Sequence, residues 1–241
     1  MGRLSGERRA FAAALLAMYG FLYLLVTLQA PDGWAAAFGA LAGIYGAGFL
    51  GVVAGYFWAR WFVIGLGLSG FMTGVISMFQ IGDIEPTMLF YAGTHIAVSG
   101  LLWGNGMAKA FDGKAEWRKR FHLDENATNR LGKSVIRVGV SLPYVVLFAL
   151  APREGAALAL LGGAGVVAGA FAMSKMRSWA IVSMAMGTVA MLISAASSPS
   201  LIPYKSNLAV NLDFLALGAI GFTMAALAPF ASPVWNALTR D

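Results

Sequence analysis

The sequence predicts an all-α membrane protein with eight transmembrane helices, arranged as two parallel-oriented repeats of four. Three observations carry that expectation. Of 241 residues, 59% are hydrophobic and 12% charged, and mean hydropathy is +0.72; a soluble domain carries about 25% charged residues. The apolar residues fall into runs near the ~20 residues that a helix needs to cross ~30 Å of hydrocarbon. The pentapeptide "GVVAG" occurs twice, at Gly51–Gly55 and Gly165–Gly169.

The first run, Ala10–Leu28, follows "RLSGERR". It is longer than the ~7–15 apolar residues of a signal peptide and reads as a retained span. The next three are Trp34–Trp58, Trp61–Ile81 and Met88–Met107, broken at "QAPDG", at "AR" and at "GDIEP". Gly, Pro and charge clusters are turn signals. Then follow Val135–Ala151, Gly155–Met173, Trp179–Ala196 and Leu208–Phe230, separated by "PREG", "SKMRS" and "SSPSLIPYKSN". Helices are expected because backbone groups in lipid must be satisfied within the segment.

Lys and Arg set the orientation. With the N-terminus in the cytoplasm, all but two of the 17 Lys and Arg, namely Arg153 and Lys205, lie in inside segments. Both termini are therefore expected inside, in a bacterial inner membrane. The net charge of +6 then reports topology and not nucleic-acid binding.

The pentapeptides sit among further anchors in the same order. "YLLVTLQAPDGWAA" from Tyr23 parallels "YVVLFALAPREGAA" from Tyr144, and Trp61 corresponds to Trp179. This divides the chain into a first four-helix repeat (1–107), a cytoplasmic linker (108–134) and a second repeat (135–241). Equal orientation of the halves implies an axis along the membrane normal. Trp117 and Phe121, amid Lys114, Arg118, Lys119 and Arg120, suit a short helix on an anionic membrane surface; a solvated linker explains them equally. His122, in the same stretch, reads as a surface residue.

Candidate chemistry is sparse. The chain has no Cys and two His, which removes thiolate chemistry and leaves little for metal or haem ligation. Metalloprotease, nucleophile-elbow and phosphate-loop signatures are missing, so neither catalysis nor a cofactor is expected. Ionisable residues inside spans are costly and informative. His95 lies within the fourth span and Asp213 within the eighth, and the register that equates Trp61 with Trp179 places them opposite one another. Asn105, Asn211, Asp83 and Glu85 are secondary polar candidates. Asn in spans often bonds across helices, and the two acids stand in a loop.

Two functions follow from different classes. One is a non-catalytic subunit or scaffold that packs through Gly/Ala faces against lipid, against copies of itself or against other membrane subunits. The other is a small-solute or proton-coupled transporter or channel with its site between the repeats at His95 and Asp213. A polar cavity between the halves would favour transport, and a dry closed bundle would favour the subunit.

Overall fold

Helix ends follow the residues that can end a helix. In the computed structural model, which describes residues 2–112, 125–198, 200–203 and 209–238, α1 spans Gly2–Gln29, α2 Ala35–Ala54, α3 Phe57–Ile81 and α4 Pro86–Leu102. Gly55 closes α2 in the left-handed region (φ 72°). Its N–H reaches the Val52 carbonyl, and the Tyr56 N–H reaches that of Gly51 at 3.0 Å. These are the paired bonds of a Schellman end, where glycine meets no Cβ penalty. The Glu85 carboxylate opens α4 by accepting from the Met88 N–H at 2.8 Å, with Pro86 at the first helical position.

The rest of the chain supplies α5 (Asn105–Asp112), α6 (Glu125–Leu150), α7 (Ala157–Ser174) and α8 (Trp179–Ser197). A short antiparallel hairpin follows, β1 (Leu201–Pro203) on β2 (Ala209–Asn211), with Leu201 opposite Asn211. The chain ends in α9 (Leu212–Ala216), a π-helical turn over Leu217–Gly221 and α10 (Phe222–Leu238). Seven of the described helical stretches are long and apolar enough to cross a membrane. Of the eight expected spans the one not among these is α4, which has 17 residues, about 26 Å at 1.5 Å per residue.

Several boundaries differ from expectation: α1 begins at Gly2 and not Ala10, α2 stops at Ala54 and not Trp58 where Gly55 closes it, and the last helix runs to Leu238 and not Phe230. The fourth helix stops at Leu102 instead of Met107, because Gly104 takes φ 100°. The chain then restarts as α5, whose Met107 and Phe111 are buried. The fifth helix begins at Glu125, well before Val135. The last begins at Leu212 and not at Leu208, because Ala209–Asn211 is paired as a strand. Trp117, Phe121 and His122 lie outside the described residues.

In each half the four long helical elements pack in a ring in chain order. α1 packs on α2, α2 on α3, α3 on α4 and α4 on α1; α6 packs on α7, α7 on α8, α8 on α10 and α10 on α6. The halves meet along α6, which lies chiefly on α3 and also on α2. Glycine makes that seam possible. A Cβ on Gly65 would strike the Ile136 carbonyl, and one on Gly139 the Phe62 carbonyl. With no hydrophobic drive between helices in lipid, such backbone approach supplies the packing. Pro143 stands inside α6 and has no N–H to give the Gly139 carbonyl.

Most of the arginines described in detail close helix ends. At one end of the helices, that of the α1 N-terminus, Arg8 donates to the Gly100 and Trp103 carbonyls, Arg9 to those of Val52 and Val53, and Arg60 to those of Leu102 and Gly104. At the other end Arg153 donates to the Phe148 carbonyl at 2.7 Å and stacks on the Phe148 ring. Cations at helix C-termini meet unsatisfied carbonyls and the negative end of the dipole.

Candidate functional site

His95 is carried by α4 and is 1% exposed. Residues four apart share a helix face, so Tyr91, His95 and Ser99 line one side of α4, and Tyr19 and Tyr23 one side of α1. On the facing side of α3, Gly67, Gly70 and Gly74 remove the side chains that would hold α4 away. A Cβ at Gly70 would fall inside the His95 ring, and one at Gly74 would lie 2.9 Å from Ala92 Cβ. The imidazole fills space that glycine vacates.

Partner chemistry fixes the tautomer. His95 Nδ1 lies 2.8 Å from the Tyr91 carbonyl, which can only accept, so Nδ1 carries the proton. Nε2 is then the acceptor for the Tyr45 hydroxyl at 2.6 Å. Both ring nitrogens are satisfied by a neutral imidazole. Tyr23 and Tyr91 share a hydroxyl–hydroxyl bond of 2.8 Å. Thr94 Oγ1 donates to the Phe90 carbonyl at 2.7 Å and so accepts from Tyr19. The Tyr19 and Tyr91 rings flank the imidazole at 4.0 and 4.1 Å between centroids. Three of the seven tyrosines thus contact one of two histidines, and a fourth, Tyr23, packs behind Tyr45, all inside the first half. A polar network of this kind, fully paired, rigidifies the helices that contribute to it.

The structure does not bring Asp213 to His95. Asp213 is exposed in the first turn of α9, where the positive end of the helix dipole favours a carboxylate. The expected depth of Asp213 came from starting the span at Leu208; with the helix opening at Leu212, Asp213 stands at its mouth. No hydrogen bond or ion pair joins the two residues among those described.

The secondary candidates serve local roles. Asn211 caps α9 through the Phe214 N–H at 3.0 Å, Glu85 caps α4, and Asp83 accepts from the adjacent Ile84 N–H. Asn105 is exposed at the start of α5. Among the described residues no three of His, Cys, Asp and Glu gather where they could hold a metal ion.

A cavity does lie between the halves, but it is apolar. It measures about 1000 Å³ and runs between α2 and α7 with α6 behind it. Gly43, Ala47, Val145, Ala164 and Val167 are typical of its walls; neither His95 nor Asp213 lines it. Tyr19, Tyr45 and Tyr91 are the site residues that sequence reasoning missed. Their signal was the four-residue spacing of Tyr19 with Tyr23 and of Tyr91 with His95.

Compared with known proteins, the chain matches no family model, and no curated protein or solved structure resembles it at a significant level.

Proposed function

We propose that this polytopic membrane protein is a non-catalytic subunit or scaffold that acts by packing within a membrane assembly. The observation that carries this reading is the closure of the polar cluster. His95 spends both nitrogens on Tyr45 and Tyr91, while the cavity between the halves presents apolar walls. A solute or proton path through that cavity would need polar groups along it. The transport reading, with His95 and Asp213 as a shared site, lacks the polar cavity that would favour it.

In this reading the chain crosses eight times, with α4 as the eighth span, both termini cytoplasmic and the membrane a bacterial inner one. The Arg-lined end of the first half, at the N-terminal end of α1, is then cytoplasmic. Common ring order supports descent of the two halves from one four-helix unit. So does the Schellman end shared by α2 and α7, where Met176 bonds to Met173 and Arg177 to Ala172.

Two experiments test this. Purification in mild detergent should yield the chain with a stoichiometric protein partner or as a defined homo-oligomer; a monomer that moves a solute or protons in proteoliposomes contradicts the scaffold. For orientation, Ser200→Cys should react with an impermeant thiol reagent in intact cells, and Lys109→Cys and Lys133→Cys should not. The reverse pattern overturns the topology.

A further inference from the structure

The cavity between α2 and α7 has a polar end. Its walls are hydrocarbon over most of their length, and its lining contains no carboxylate. At the inner mouth, where α7 ends, the lining becomes Ser174 and Lys175, with Tyr56 across the gap. The Lys175 ammonium rests over the Phe171 ring at 5.1 Å, which holds the charge against the cavity wall. It makes no ion pair among the described residues. Tyr56 stacks on Trp58, an amphipathic pair of the sort that marks the headgroup level.

We infer that this groove is a binding site for one anionic phospholipid, with acyl chains along α2 and α7 and the phosphate on Lys175. Three features point to that occupant. A cavity of about 1000 Å³ surrounded by bilayer does not stay empty, since lining atoms beside a void forgo their dispersion contacts. The groove is apolar along its length and cationic at one end, which is the polarity of an anionic amphiphile. An apolar helix from a partner would fill the walls but bring no counter-charge to Lys175. The groove is also open where chains would lie: a Cβ on Gly43 would meet nothing within 4 Å. This inference goes beyond the scaffold reading and does not depend on it.

The test is native mass spectrometry of the full chain in mild detergent, offered phosphatidylglycerol and phosphatidylcholine in equal amounts. The wild type should retain one phospholipid and favour phosphatidylglycerol about fivefold, the worth of one basic residue near an anionic surface. Lys175→Gln should still bind lipid but show no headgroup preference. Gly43→Phe and Ala164→Phe, from opposite walls, should each lower retention about tenfold with an unchanged melting temperature. Loss of retention together with a lowered melting temperature in both variants is followed by the Lys175→Gln ratio, which decides. Equal headgroup preference in wild type and Lys175→Gln overturns the inference. So does a co-purified protein that crosslinks to a cysteine placed at Ala164.

Discussion

The two halves share one order of helix neighbours and fill their centres differently. In the first half the centre is aromatic and polar. Tyr19, Tyr45 and Tyr91 enclose His95, Tyr23 braces Tyr45 and Tyr91 from behind, and Gly70 of α3 seats the imidazole. In the second half the contact between α7 and α8 sets glycine against backbone, although Gly218 gives room to the Tyr144 ring as Gly70 does to the imidazole. A Cβ on Gly187 would lie 2.5 Å from the Gly162 carbonyl, and one on Gly165 would lie 3.2 Å from Gly187 Cα, so α7 and α8 touch main chain to main chain. Tyr144, which the sequence pattern sets beside Tyr23, sends its hydroxyl out of its own half to Thr73 on α3 at 3.0 Å. Glycine abundance in a membrane helix therefore has two distinct causes, and mutation should tell them apart.

The largest effect belongs to the second half. Gly187→Ala should destabilise by about 3 kcal/mol, because the obstructing atoms are backbone and cannot yield. Thermal unfolding in detergent measures this, and a loss below about 1 kcal/mol would mean that α7 and α8 are further apart. Gly70→Ala should cost about 2 kcal/mol on its own, since it strikes a ring held by two hydrogen bonds. In a His95→Ala background the same change should cost little. If Gly70→Ala is as harmful there as in wild type, Gly70 is not a seat for the imidazole.

Smaller effects sharpen the comparison at the ends of α2 and α7. The Schellman end of α2 uses Gly55, whereas that of α7 places Met176 at φ 57°, where a Cβ is unfavourable. Met176→Gly should raise stability by about 0.5–1 kcal/mol, and Gly55→Ala should lower it by about 1 kcal/mol. Opposite signs at equivalent places are the expected readout; the same sign at both contradicts the shared motif. The smallest effect is Tyr23→Phe, about 0.6 kcal/mol, the average worth of a side-chain hydrogen bond between membrane helices. A loss several times larger would give the hydroxyl pair with Tyr91 a greater part than the structure assigns it.

Helix content and approximate spans were legible because lipid enforces long apolar runs, and because Gly, Pro and Arg mark their ends. Boundaries were misplaced where a structure without hydropathy signal intervened. Leu208, Ala209 and Val210 are as apolar as the helix that follows, so the pairing of Ala209–Asn211 as a strand left no trace in the hydropathy pattern. The start of α6 at Glu125 was hidden because its first turns are polar. The importance of His95 was legible from the cost of burying it, but its partner was not. The expectation for Asp213 rested on a span beginning at Leu208 and on the register that equates Trp61 with Trp179; the helix opening at Leu212 removes the first of these grounds. Tyrosine carries no charge to draw notice, yet in hydrocarbon its hydroxyl needs a partner as surely as an imidazole does. The Gly65 and Gly139 seam escaped for a related reason: helix–helix registry between residues so far apart in the chain has no local pattern, while the intrahelical small-residue spacings do.

The contrast between a first half centred on a paired aromatic and polar cluster and a second half packed through backbone rests on where His95 finds its partner. Paired double-mutant cycles on unfolding free energy in detergent address this directly: His95→Ala with Tyr45→Phe, and His95→Ala with Asp213→Ala. The account predicts a coupling of about 1 kcal/mol for the first pair and additivity within about 0.3–0.5 kcal/mol for the second. Additivity between His95 and Tyr45 together with strong coupling between His95 and Asp213 would contradict it.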